Sequence, residues 1–256
     1  MTAETAALLA PGEPPAVDEY KLDGTSLFLL VADHAGRCIP KRLNNLGLGE
    51  ADVARHIGWD IGIAGVGRRL ADLLDAPLIM QIYSRLVIDC NRPPGTPTSI
   101  APVSERTPIP GNQNLSAADA EARRREIFDP YHQAIERRLE ARKNRPTILI
   151  SLHSFTPVYK GVARPWHAGV LYNRYDPLAA ALLALMREAG EMTFGDNEPY
   201  SVTDDTDYTI PVHGEKRGLP HVAIEIRQDL IAGEAGQREW AERLAELLPK
   251  AAAAIA

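Results

Sequence analysis

The first long apolar stretch, SLFLLVADH (26–34), runs without interruption until it stops at Asp33-His34. Runs of this kind suit strands covered on both faces, as parallel sheets require. A loop with Gly36 and Pro40 follows. In residues 48–74, Ile57, Ile61, Ala64, Val66 and Leu70 fit one side of a helical period, so a helix is expected there despite its glycines. APLIMQIYS (76–84) predicts a second strand, and LVIDCNRPPG (86–95) starts extended and ends in a proline turn. Residues 95–114, rich in Pro, Thr, Ser and Asn, predict a long irregular loop, a feature that is often functional. Ser116 is placed to cap a long helix running to Lys143, with a kink expected at Pro130. TILISLHS (147–154) and WHAGVLYNR (166–174) read as the third and fourth strands, and PLAAALLALMREAG (177–190) as a helix ending at Gly190. Residues 195–209 are polar and irregular, HVAIEIRQDLI (221–231) alternates as a strand, and 238–255 closes the chain as a helix. Strands alternating with helices define an α/β class, with a mixed, mostly parallel central sheet flanked by helices.

Composition narrows this picture. The chain has 256 residues, 45% of them hydrophobic, enough to bury one large core, expected over 21–256. Residues 1–20 read as a flexible or draped lead-in. A net charge of −6 argues against a nucleic-acid partner. The basic run Arg123–Arg125 is offset by nearby acids and reads as a solvated helix face. Two cysteines, Cys38 and Cys90, are too few for a disulfide scaffold, and a reducing cytoplasm is the expected home. The N-terminus lacks the basic and apolar blocks of a signal peptide, and no apolar stretch approaches the roughly 20 residues of a membrane span. The expected partner is a small molecule, and a homo-oligomer is compatible with the sequence. Dinucleotide, P-loop and GxSxG signatures are absent.

Ligands of open α/β sheets bind beyond the carboxyl ends of the strands. At those ends stand Asp33 and His34, then Asp89, Asn91 and Arg92, then His153, with Glu225 and Arg227 within the last strand. Two neutral imidazoles and a carboxylate make a zinc site with an open position. A nearby glutamate suits proton transfer from water, and an arginine suits a substrate carboxylate. Plainer readings stand beside these. A single strand-end histidine is commonly structural, Asp60 reads equally as a hydrogen-bonding partner of His56 on one helix face, and Asp89 as a partner of Arg85. His132, His167 and His221 read as structural or surface residues, and His213 as a weaker site candidate.

Five blocks, in order across 26–231, resemble the N-formylglutamate amidohydrolase family: DHAGRCIP, HIGWDIG, RLVIDCNRPPG, SLHSFTP and LPHVAIEIRQDLI. The resemblance implies a zinc-carboxypeptidase-like α/β fold, similar in outline to carboxypeptidases and to succinylglutamate desuccinylase and aspartoacylase enzymes. It implies a cofactor, Zn²⁺ or another divalent transition metal, with His34 and His153 as metal histidines. Asn91-Arg92 would meet the substrate carboxylate and Glu225 would serve as the base. It also implies an amino-acid catabolic role, with histidine degradation as its setting. Two departures appear. The third residue after His34 is Arg37 where carboxypeptidases carry a glutamate, so Asp60 takes the place of the carboxylate ligand, and the first block reads HAG rather than HSG. The implied reaction is hydrolysis of an N-acyl amino acid, N-formyl-L-glutamate first, with Arg85 beside the developing oxyanion and Arg227 or Arg174 on the distal carboxylate. A same-fold hydrolase of another N-acyl amino acid or peptide, and a binding protein that has lost the metal, remain the alternatives.

Overall fold

The structure, a computed structural model, describes residues 7–174, 176–188, 190 and 192–256. Among them, seven strands form one sheet: β1 (Val17–Tyr20), β2 (Phe28–Ala32), β3 (Leu78–Gln81), β6 (Ile148–Phe155), β9 (Ala168–Leu171), β10 (Phe194–Asp196) and β11 (His221–Arg227). Two short hairpins lie outside it, β4 (Val103–Ser104) with β5 (Thr107–Pro108), and β7 (Val158–Tyr159) with β8 (Val162–Ala163). The order across the sheet is β1-β3-β2-β6-β11-β9-β10. Strands β3, β2, β6 and β11 run parallel, β1 is an antiparallel edge, and β9 with β10 runs antiparallel to β11.

Side-chain alternation explains the layers. Leu30, Ala32, Ile150, Leu152, Val222 and Ile224 face helices α2 (Ile63–Leu74), α5 (Pro177–Glu188) and α6 (Glu234–Ala253), where Leu70, Leu182 and Trp240 meet them. Leu29, Val31, Leu149 and Ala223 point the other way, onto Tyr131, Ile135 and Leu139 of α4 (Asp129–Ala141). Burying both faces is why these strands read as continuous apolar runs. Polar side chains of the site gather toward their carboxyl ends.

The structure departs from the sequence reading at several places. The helix expected over 48–74 is two pieces, α1 (Glu50–Val53) and α2, separated by turns. Gly62, at φ +84°, starts α2, and a Cβ there would lie 2.1 Å from the Ile231 carbonyl oxygen. The segment between the helices is stitched down instead: Asp60 N–H donates to His34 O (2.9 Å), and Gly58 O accepts from Ser84 Oγ and Arg85 N–H. Residues 86–92 form successive turns rather than a strand start, and Leu86, Val87 and Ile88 are buried in the same core cluster as Ile109, Ile127 and Tyr131. The helix after Ser116 forms as α3 (Ala117–Arg123), a π-helical turn at Arg124–Phe128, and α4, the π turn preceding Pro130. Arg123 is not solvated: its guanidinium is buried and donates to Val87 O, Gly111 O and Asn112 Oδ1. Residues 7–20 are docked, with Leu8 and Leu9 N–H on Glu126 and β1 paired to β3. Strand β10 lies partly in the stretch read as irregular. No helix among the described residues is long and apolar enough to cross a membrane.

Candidate active site

Three elements bring the central side chains together. His34 follows β2, His153 sits in β6, and Glu225 of β11 is the register partner of His153. Asp60 arrives from the stitched turn before α2, not from a helix face as expected, and its tie to the His34 backbone carries its carboxylate to both rings. The ring centroids of His34 and His153 are 5.2 Å apart. Asp60 Oδ2 lies 3.0 Å from His153 Nδ1 and 3.5 Å from His34 Nδ1. All three residues are buried, and their ligand atoms lie within 4.8 Å of one another.

The far nitrogen of each ring is committed elsewhere. His34 Nε2 donates to Asp89 Oδ1 (2.7 Å), and His153 Nε2 shares its proton between Asp33 Oδ2 (3.1 Å) and Ser151 Oγ (3.0 Å). With the far nitrogens held by these partners, Nδ1 of each ring faces Asp60, and His153 Nδ1 hydrogen-bonds its Oδ2 at 3.0 Å. His34 Nδ1 is buried without a hydrogen bond. Two imidazole nitrogens and a carboxylate oxygen facing one point suit a cation that replaces the Nδ1 protons, so these residues fit the divalent metal the sequence implied. Without a metal, the surrounding carboxylates favour protons at the same positions. Burial opposes charge on His34, but Asp89 and Asp60 outweigh it and hold the ring above the usual imidazole range. His153 is likewise raised against burial, by Asp33 and Asp60. Asp60, Asp33 and Asp89 stay below the usual carboxylate range despite burial, held there by the histidines and, for Asp89, first by Arg85.

Glu225 lines the same cavity, of about 510 Å³. Its Oε2 has no hydrogen-bond partner, and burial pushes its carboxyl up to about 7. Arg85 lines it too, forking onto Asp89 Oδ2 through Nε (3.0 Å) and Nη2 (2.6 Å), with Nη1 3.7 Å from Asp60 Oδ1. Arg92 stands in the wall and donates to Thr206 O, with Asp207 Oδ1 3.4 Å away.

Two of the expected site residues are occupied otherwise. Asn91 borders the cavity, but its side chain is spent on one segment: Nδ2 donates to Asp207 (3.1 Å), and Oδ1 accepts from Tyr208 and Thr209 N–H (3.0 Å each). Arg227 is not brought to the cavity. It forks onto Asp229 at 2.8 and 3.2 Å and donates to Trp166 O. Arg174 pairs with Asp204 and Glu215, away from the cavity. His132 and His213 stack against each other in the core (Nδ1 to Nε2 2.9 Å) and do not line the cavity.

Tyr200 is not marked by the sequence, and Asp33 is named there only as the neighbour of His34 at a strand end, with no role. Asp33 accepts from both His153 and the Thr209 hydroxyl (2.5 Å), so it joins a site histidine to the 207–209 segment. Its one signal is its place beside His34 at a strand end. Tyr200 lines the cavity from the polar, irregular stretch, where nothing in the local pattern marks it.

A mixed, mostly parallel α/β chain that gathers histidines, carboxylates and arginines at its central strand ends has the form of a hydrolase. The chain belongs to the N-formylglutamate amidohydrolase family, whose model matches residues 26–232. That membership makes it an amidohydrolase. It is 37% identical to the gene product Atu2144 of Agrobacterium tumefaciens, with 97% of this chain and 99% of that one aligned at a TM-score of 0.93. It also shares its fold with an N-formylglutamate amidohydrolase from Ralstonia eutropha JMP134, at 18% identity, 94% and 98% coverage and a TM-score of 0.65. No curated protein matches the chain in sequence.

Proposed function

We propose that this amidohydrolase is metal-dependent and cleaves the amide of an N-acyl amino acid, N-formyl-L-glutamate, to formate and L-glutamate. The observation that carries the reading is the convergence of His34 Nδ1, His153 Nδ1 and Asp60 Oδ2 in the cavity that the unpartnered Glu225 Oε2 also lines. His34, Asp60 and His153 would hold Zn²⁺ or another divalent transition metal, which supplies the Lewis acidity to activate water and polarise a carbonyl near neutral pH. Glu225, raised toward neutrality by burial, takes the proton of the attacking water and returns it to the amine as the C–N bond breaks. Arg85, anchored by Asp89, keeps Nη1 for the developing oxyanion. Arg92 receives the α-carboxylate from the cavity wall, and Asn91 acts behind it by fixing residues 207–209. The cavity volume lies in the range of small-molecule sites.

The test is formate release from N-formyl-L-glutamate, with metal content measured on the same chelator-free sample. Bound metal and turnover are expected together, and His153→Ala is expected to lose both. Turnover that survives complete removal of metal, or in a metal-free His153→Ala protein, would defeat the proposal.

A further inference from the structure

The cavity has two unlike halves, and the sheet order sets them apart. Arg85, Asp89, Asn91 and Arg92 enter from the turns after β3. Tyr200 enters from the segment after β10, at the other side of the sheet. Strands β2, β6 and β11, which bring in His34, His153 and Glu225, lie between β3 and β10. One half is therefore charged, and the other begins with a ring.

That ring half reaches back to the reacting centre. Phe155 follows His153 by two residues in β6, so both side chains stand on one face, about 7 Å apart along the strand. Phe155 is buried, yet it stands outside both layers of the apolar core. Its surroundings are other rings, gathered by Arg164. The guanidinium carbon lies 5.7 Å from the Phe155 centroid and 4.6 Å from those of both Tyr159 and Tyr200, and Nη1 donates to the Tyr200 hydroxyl (2.9 Å). Phe155, Tyr159 and Tyr200 all line the cavity, and Arg164 does not. A guanidinium against one face of a ring leaves the other face free. Tyr200 is 42% exposed, so the wall of rings runs from beside His153 out to the mouth.

The formyl carbon of N-formyl-L-glutamate carries only a hydrogen. With the amide at the histidines and the α-carboxylate toward Arg92, nothing of that substrate covers the rings. The cavity, about 510 Å³, has room for a larger acyl group. An apolar one would displace water from the ring faces and stack on them.

We propose that Phe155, Tyr159 and Tyr200 form an acyl subsite, and that the enzyme takes N-acyl amino acids with an aromatic or other apolar acyl group besides the formyl compound. This rests on the amide-hydrolysis reading above. The reaction is the same: the oxygen of water bonds to the acyl carbon, the C–N bond breaks, and the amine leaves with a proton from Glu225. The products are an apolar carboxylate and the free amino acid. Burying one phenyl ring against the wall is worth roughly 10–100-fold in recognition.

The experiment compares N-phenylacetyl-L-glutamate with N-acetyl-L-glutamate on the metal-loaded protein. Both are alkyl amides of one amino acid, and they differ by the ring. Wild type is expected to favour the phenylacetyl compound roughly 10–100-fold in kcat/KM, mainly through KM. Tyr200→Ala and Tyr159→Ala should each lower that ratio about tenfold, and Tyr200→Leu, which stays apolar, should retain part of it. Calorimetric binding of the two compounds reads the subsite without turnover. If wild type binds the phenylacetyl compound more tightly, Tyr200→Ala loses the margin, and neither these compounds nor N-formyl-L-glutamate is hydrolysed, the proposed reaction fails and the acyl subsite stands. A wild type that treats both compounds alike in binding and kcat/KM overturns the subsite. So does a ratio unchanged in both alanine variants, or hydrolysis of N-formyl-L-glutamate by a protein that neither binds nor cleaves the phenylacetyl compound.

Discussion

Asp33→Asn tests how the site holds its second histidine. Asp33 is 1% exposed, and both of its oxygens are in use. Oδ1 accepts from the Thr209 hydroxyl at 2.5 Å, and Oδ2 accepts from His153 Nε2 at 3.1 Å and from Ser151 Oγ at 3.3 Å. Asparagine fills the same space with one acceptor oxygen and one donor group. If the donor faces His153, the ring must move its proton to Nδ1, the nitrogen that faces Asp60, and a ligand lone pair is lost. If the donor faces Thr209, His153 keeps a hydrogen bond, but to a neutral acceptor that makes the imidazole a weaker base. Either way cation affinity falls, by roughly 10–100-fold as for other carboxylate–histidine supports, or about 1.4–2.7 kcal/mol. Titration of the metal-free protein with Zn²⁺ against a chromophoric chelator measures it. Thr209→Val removes only the hydroxyl arm and should leave affinity within about threefold. A folded Asp33→Asn protein, of near-native Tm, that holds Zn²⁺ as tightly as wild type would refute the reasoning.

Glu225→Gln should keep wild-type metal affinity and lose about 10²-fold or more in kcat, as removal of a general base does; loss of metal in this variant would point to a ligand role instead. A separate effect concerns the buried histidine stack. Burial holds His132 down to about 4 from 6.5 and His213 down to about 3, so the neutral pair stabilises the fold fully above pH 6.5 and the contribution is lost as pH falls toward about 4. For His132 this amounts to about 3 kcal/mol, partly offset in the metal-free protein by His34 and His153, whose raised values act with the opposite sign. Denaturant unfolding between pH 7 and 4.5 should show a shallower pH slope in His132→Gln than in wild type, and equal slopes would refute the assignment.

What the chain reveals by pattern is what two-sided burial imposes on it. Leu29–Ala32 and Ile148–Leu152 are apolar because each alternate side chain meets a different helix layer, so their strands, and the histidines where they end, can be read directly. Periodicity fails where burial comes from turns rather than from a regular element. Leu86, Val87 and Ile88 satisfy a strand template, and Ile57 and Ile61 a helical one, yet both stretches are turns fixed by hydrogen bonds to residues far along the chain. Asp60 was therefore placed in the site by a helix it does not occupy, and reaches His34 through a backbone bond no period encodes.

The site residues divide on the same line. A ligand at a strand end inherits its position from the strand. A residue that acts across elements, such as Asp33 between His153 and Thr209, inherits it from the assembled fold. Strand alternation put Arg227 on the Glu225 face, and two residues later Asp229 takes its guanidinium away.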